Sequence, residues 1–132
     1  MSIPEADVLA AFKAAANAAL TSPGRAYSLY EVDQMASKPS RYVELNVVQR
    51  PRLTAGRANP GRDMGWWRVT VRGVADVDTN VRAMLSEVRG AVEFKQLTIG
   101  SASTSPIEYE TGTAVEQDDD WWSGLHVWTF TL

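Results

Sequence analysis

The chain has 132 residues, 45% of them hydrophobic and 22% charged, which is long enough for one domain burying about two-thirds of its unfolded surface and excludes disorder along its whole length. It has no cysteine, so neither a disulfide framework nor a thiolate metal site is possible. The net charge of -3 is unevenly spread: Lys38 to Arg72 holds eight of the 13 basic residues but, in Glu44 and Asp63, only two of the 16 acidic ones. That asymmetry suits a positive surface meeting a negative one, on another copy, another protein or nucleic acid.

Ser2 and Glu5 have the spacing of a capping box, and Val8, Leu9, Phe12, Ala16, Ala19 and Leu20 then draw an apolar stripe that predicts a helix from about Pro4 to Leu20. The segment has no basic start and is interrupted by Asp7, Lys13 and Asn17, so it is expected to be neither a signal peptide nor a membrane span. Thr21-Ser22-Pro23-Gly24 ends it. Tyr27 to Val32 reads as a short strand and Met35 to Ser40 as a polar connector. In Tyr42 to Gln49 the residues Val43, Leu45 and Val47 alternate with Tyr42, Glu44 and Asn46, the period of a half-buried strand.

From Arg50 to Gly65 the pattern is irregular, with Pro51, Gly56, Pro60, Gly61 and Gly65 interleaved with Arg50, Arg52, Arg57 and Arg62. Lying between two strand patterns, this is most simply a long projecting loop, a class that is usually either functional or disordered. Next, Trp67, Val69 and Val71 alternate with Arg68, Thr70 and Arg72 as a strand. Val77, Val81, Met84, Leu85 and Val88 follow at helical spacing, with Asp78 as a plausible N-cap and Gly90 as the stop.

Val92 to Ile99 is expected to be a strand, and Gly100 to Pro106 a Ser-rich turn. Ile107 to Glu110 and Thr113 to Glu116 are weaker strand candidates, read as a hairpin around Gly112. After Asp118-Asp119-Asp120 and Trp121-Trp122, the residues His126, Trp128, Phe130 and Leu132 alternate along a last strand. No internal repeat or domain linker stands out. The expectation is a single α+β domain over 1–132, with a mixed, mainly antiparallel sheet and two helices packed on one face.

Catalysis needs titratable groups near one another. The single histidine, His126, lies in a strand pattern between Leu125 and Val127, so a structural role is expected. No nucleophile elbow occurs, and Gly61-Arg62-Asp63-Met64-Gly65 lacks the lysine and spacing of a phosphate loop. Three consecutive aspartates do not converge like the alternating ligands of a calcium loop. They read as a solvated acidic turn and a natural counterpart to an arginine-rich loop of another copy. No enzyme, metal or cofactor is expected. Trp67 and Trp128 are assigned to the core, whereas Trp66, Trp121 and Trp122 have no clear inward assignment, and exposed tryptophan commonly marks an interface. The candidate interface therefore comprises Arg50, Arg52, Arg57, Arg62, Trp66, Asp118, Asp119, Asp120, Trp121 and Trp122. Stacking on single-stranded nucleic acid is the competing use, but the aspartates would repel its backbone.

Taken together, the opening helix Val8 to Leu20, the Tyr42-to-Gln49 strand, the Arg50-to-Gly65 loop, the Trp67-Val69-Val71 strand feeding the Val81-to-Val88 helix, and the closing Asp120-Trp121-Trp122 and Val127-Trp128-Thr129-Phe130 strand resemble the tail terminator (tail completion) proteins of long-tailed bacteriophages. The resemblance is one of pattern, spans nearly the whole chain and carries no catalytic residue. It implies a subunit of a ring, typically hexameric, that caps the tail tube, ends its growth and joins the head completion or stopper protein. Genomic DNA would pass through the lumen without sequence-specific contact, and no membrane would be involved. The location implied is the head-proximal end of the virion tail, with assembly in the host cytoplasm. Stopper and adaptor connectors are similar in size. From another class, a small-molecule-binding domain or enzyme with a tryptophan-lined pocket is the alternative.

Overall fold

The computed structural model describes residues 3–50 and 65–132. Its elements are α1 (Glu5–Ala19), β1 (Ala26–Ser28), α2 (Leu29–Asp33), β2 (Arg41–Arg50), β3 (Trp66–Ala75), α3 (Asp78–Val92), β4 (Thr98–Ile99), β5 (Ala102–Ser103), β6 (Glu108–Asp118) and β7 (Trp121–Thr131). Five strands form one sheet in the order β1-β2-β3-β7-β6, and β4 and β5 form a separate two-stranded ladder. β1 runs parallel to β2 and every other pair is antiparallel. The fold is α+β with a mixed, mainly antiparallel sheet, as expected.

Alternation along the strands decides which face is covered. Val43, Leu45 and Val47 of β2, Trp67, Val69 and Val71 of β3, and Trp128 and Phe130 of β7 are all buried on one face. There they meet Val8, Phe12 and Ala16 of α1 and Val81, Met84, Leu85, Val88 and Val92 of α3 in one core. Both helices show the three-and-four spacing that puts such residues on a single stripe. Trp67 and Trp128 are among the largest fully buried side chains, and each such aromatic contributes roughly 1.5–3 kcal/mol by leaving water. The end of α1 is tied to α3, where the Thr21 amide donates to the Glu87 carboxylate at 3.1 Å and the Thr21 hydroxyl donates to the same oxygen.

Five local expectations are corrected. Tyr27 to Val32 is not one strand: it is the three-residue β1 followed by α2. The cause is a capping box, in which the Glu31 amide donates to the Ser28 hydroxyl at 3.1 Å and the Ser28 amide donates to the Glu31 carboxylate at 3.0 Å. The resulting turn of helix sits at the β1 edge, with Val32 turned to the sheet face away from the main core. It buries Val32 with Tyr42 and Val74, and Tyr27 and Trp121 pack around them.

Gly90 does not stop α3, which continues to Val92 because Val92 is fully buried in the core. The N-cap is Val77, not Asp78, which instead sits 3.9 Å from Arg82 one turn on. Val92 to Ile99 is accordingly the end of a helix, an irregular segment and the two-residue β4, not one continuous strand. Lastly, 107–116 is no hairpin. Residues 108–118 form a single edge strand paired to β7, with Gly112 opposite His126 and register shifts at Tyr109/Thr111 and Thr113/Glu116. Nearly all of β6 is exposed, so no alternation was there to be read. The Ser2 half of the expected capping box lies outside the described residues, and the N-cap Pro4 makes no side-chain bond.

Candidate interface surfaces

The pairing places Arg50, where the arginine-rich stretch begins, and the acidic turn at opposite ends of the sheet. Arg50 faces Trp66, and Trp66 faces Thr131, at one end. At the other, Arg41 faces Ala75, Ala75 faces Trp122, and Asp118 faces Trp121. Strands of ten or eleven residues separate these ends by roughly 30 Å, at about 3.3 Å per residue. Asp118 closes β6, and Asp119 and Asp120 form the turn into β7, with all three exposed. Asp119 adopts a left-handed φ of 55°, which an aspartate tolerates in a tight turn. The solvated acidic turn is as expected. Arg52, Arg57 and Arg62 lie outside the described residues, as does most of the predicted loop. Arg50 ends β2.

Among the tryptophans without an inward assignment, Trp66 is 47% exposed and stands at the Arg50 end. Trp121 and Trp122 are half-buried. Trp121 meets the Tyr42 ring edge-on at 6.5 Å on the α2 face, while Trp122 packs against the main core. The fold thus brings Trp121 and Trp122 together with the three aspartates and sets Trp66 at the far end. Burial, and then the nearby Glu44 carboxylate, push the Tyr42 hydroxyl above its ordinary range.

A second aromatic group was not legible in the sequence. Tyr109 lies edge-on to His126 and to Trp128, each at 5.4 Å, and His126 is 6.1 Å from Trp128. The Arg89 guanidinium sits 4.9 Å from the Tyr109 centroid and 6.0 Å from that of Trp128. It is oriented by two hydrogen bonds to Glu93, of 3.1 and 2.8 Å. Burial and then the Arg89 charge lower the pKa of His126, so the imidazole is neutral at pH 7. Its Nδ1 and the Trp128 Nε1 find no hydrogen-bond partner among the described residues. This cluster spans α3, β6 and β7, so no local spacing could reveal it.

Among the described residues no three His, Cys, Asp or Glu groups could hold a metal, and no helix is long and apolar enough to cross a membrane. A cavity of about 400 Å³ opens between α1, α2 and β2. None of the five tryptophans lines it.

No protein-family model matches the chain, and no curated protein does. Solved structures share its fold. A protein designated only by a sequence identifier matches with a TM-score of 0.68 and 12% identity, over 98% of this chain and 96% of its own. A chain from the virion of a native gene transfer agent particle matches with a TM-score of 0.56 and 13% identity, over 92% of this chain and 84% of its own.

Proposed function

We infer that this chain is a structural subunit of a phage-type virion rather than a catalyst. More specifically, it is a tail terminator whose copies form a ring, hexameric by the resemblance to that family. The ring caps the tail tube, ends its polymerisation and receives the head completion protein, while DNA passes through the lumen without base-specific contact. The observation that carries this reading is whole-length likeness of fold to a chain of a gene transfer agent virion, joined to the tail-terminator pattern of the sequence.

The segregation of charge supports a polar, head-to-tail arrangement. An exposed acidic turn, Asp118 to Asp120, marks one end of the sheet, and the chain enters its arginine-rich stretch at the other. Contact between the two therefore runs from one subunit to another stacked along the strand direction, such as a tube subunit. Electron microscopy of the purified protein, alone and with tail tubes, tests the proposal. Rings, and rings seated on tube ends, are expected. A single-chain particle that binds no tube and melts higher with a small ligand would replace this reading with the pocket alternative.

A further inference from the structure

Two unexplained features lie on opposite edges of the sheet. The first is Phe94, just past α3, which has φ 61° and is 73% exposed. This position after a helix usually belongs to glycine, because an L side chain in the left-handed region crowds the following carbonyl oxygen. The strained conformation is pinned from both sides: the Phe94 amide donates to the Ile107 carbonyl at 2.8 Å, and the Ile107 amide donates to the Lys95 carbonyl at 2.9 Å. The fold thus holds a large apolar ring out in water at the β6 edge, beside the exposed Lys95.

The second feature is the cavity on the β1 edge. β1 ends at Ser28, opposite Leu45, so no described strand pairs with the outer side of β2 beyond that point. The Val43 amide bonds the Arg25 carbonyl on that side. By the alternation of a strand, Val47 and Gln49 also turn their backbone groups to the open edge. The notch of about 400 Å³ is lined by Leu9, Leu29, Leu45 and Val47, with Glu5 and Asp33 among its walls.

We propose that Phe94 and Lys95 of one copy seat in this notch of the next, with the phenyl ring against Leu9, Leu29 and Val47 and the ammonium facing Glu5 or Asp33. Register supports the match. Glu108, next to the Ile107 that the knob's backbone bonds, faces Thr129, Thr129 faces Arg68, and Arg68 faces Val48, so knob and notch stand on opposite edges within about 10 Å of each other along the strands. Joining them takes a rotation with little shift along the strands, the geometry that closes a ring instead of growing a helix. Opposite charge fits the two surfaces, and a buried aromatic anchor supplies the affinity. The inference rests on the ring reading above and names its contact.

The test uses the full chain. Phe94→Gly removes both the knob and the strain, so light scattering should give a single-chain mass while the melting temperature holds or rises. In a chain without cysteine, Lys95→Cys with Asp33→Cys should give, on oxidation, a ladder of covalent multimers ending at the ring size. Each single variant should stop at the dimer. Wild-type rings together with Phe94→Gly rings, or with no ladder, would overturn the knob and leave the ring reading standing. A wild-type chain that stays single at every concentration, with and without tail tubes, would overturn both.

Discussion

Gly73 and Gly124 stand directly opposite each other on β3 and β7, and α3 crosses the sheet over both. A Cβ on Gly73 would lie 3.3 Å from Val81 Cγ1, and one on Gly124 would lie 3.1 Å from Leu85 Cδ1 and 3.1 Å from Val115 Cγ2. The pair is a shallow trough that lets the helix approach the sheet. A bulkier residue must push helix and sheet apart in a close-packed interior. Gly124→Val is therefore expected to cost about 1–3 kcal/mol, read as a lower urea midpoint with an unchanged slope. A midpoint equal to wild type would mean that α3 does not rest there.

The short helix α2 depends on its cap. Ser28 and Glu31 bond reciprocally, and the same carboxylate takes the Lys13 ammonium of α1 at 2.6 Å. The lysine hydrogen bond, and then the Ser28 amide, hold the Glu31 carboxyl below its ordinary range. Ser28→Ala should destabilise by about 1 kcal/mol and free Val32 and Trp121 from their small cluster. Changed tryptophan fluorescence before global unfolding is the expected readout, and a Ser28→Ala chain with wild-type emission and stability would contradict it.

The core was legible where one face of an element is buried and the other wet, as in Val43-Leu45-Val47 and Trp67-Val69-Val71. Both main helices were readable for the same reason. β6 was not, because an edge strand exposed on both faces has no alternation to display, and Gly112 looked like a turn when it only sits opposite His126. The α2 cap was present in the sequence as Ser28 and Glu31 and was masked by the β-favouring Tyr27, Tyr30 and Val32. Of the candidate surface, the acidic turn was readable from composition alone. Phe94 was not, since no pattern announces a phenylalanine in a left-handed conformation.

Acid should loosen the α3–β6–β7 corner. The His126 pKa is lowered in the fold by burial and by Arg89, so below the ordinary value of about 6.5 the unfolded chain binds the proton more readily than the folded one. Stability from this group is full above that value and is lost as pH falls from it toward the lowered folded pKa. Glu31, whose folded pKa is lowered as well, loses its contribution only in the carboxylate range, so the two windows separate. His126→Phe keeps a ring against Tyr109 and Trp128 and should flatten the melting temperature between pH 7 and 5 relative to wild type. Parallel pH profiles for the two chains would rule out His126 as the source.

Segregated charge makes a prediction about assembly that folding does not share. The four arginines Arg50, Arg52, Arg57 and Arg62 belong to the stretch entered at one end of the sheet, and Asp118 to Asp120 close the other end. On the proposed reading, contact between them is made across subunits. Exposed pairs contribute about 0.2–1 kcal/mol each. Replacing all four arginines with serine should therefore weaken stacking on the tail tube by roughly 2 kcal/mol at low salt, a factor of about thirty. At high salt the variant and wild type should converge, because screening removes the same term. The melting temperature of the single chain should stay close to wild type. Sedimentation of chain-and-tube mixtures at two ionic strengths reads the difference. Equal binding by both chains at low salt would show that the arginine stretch does not take part in the junction.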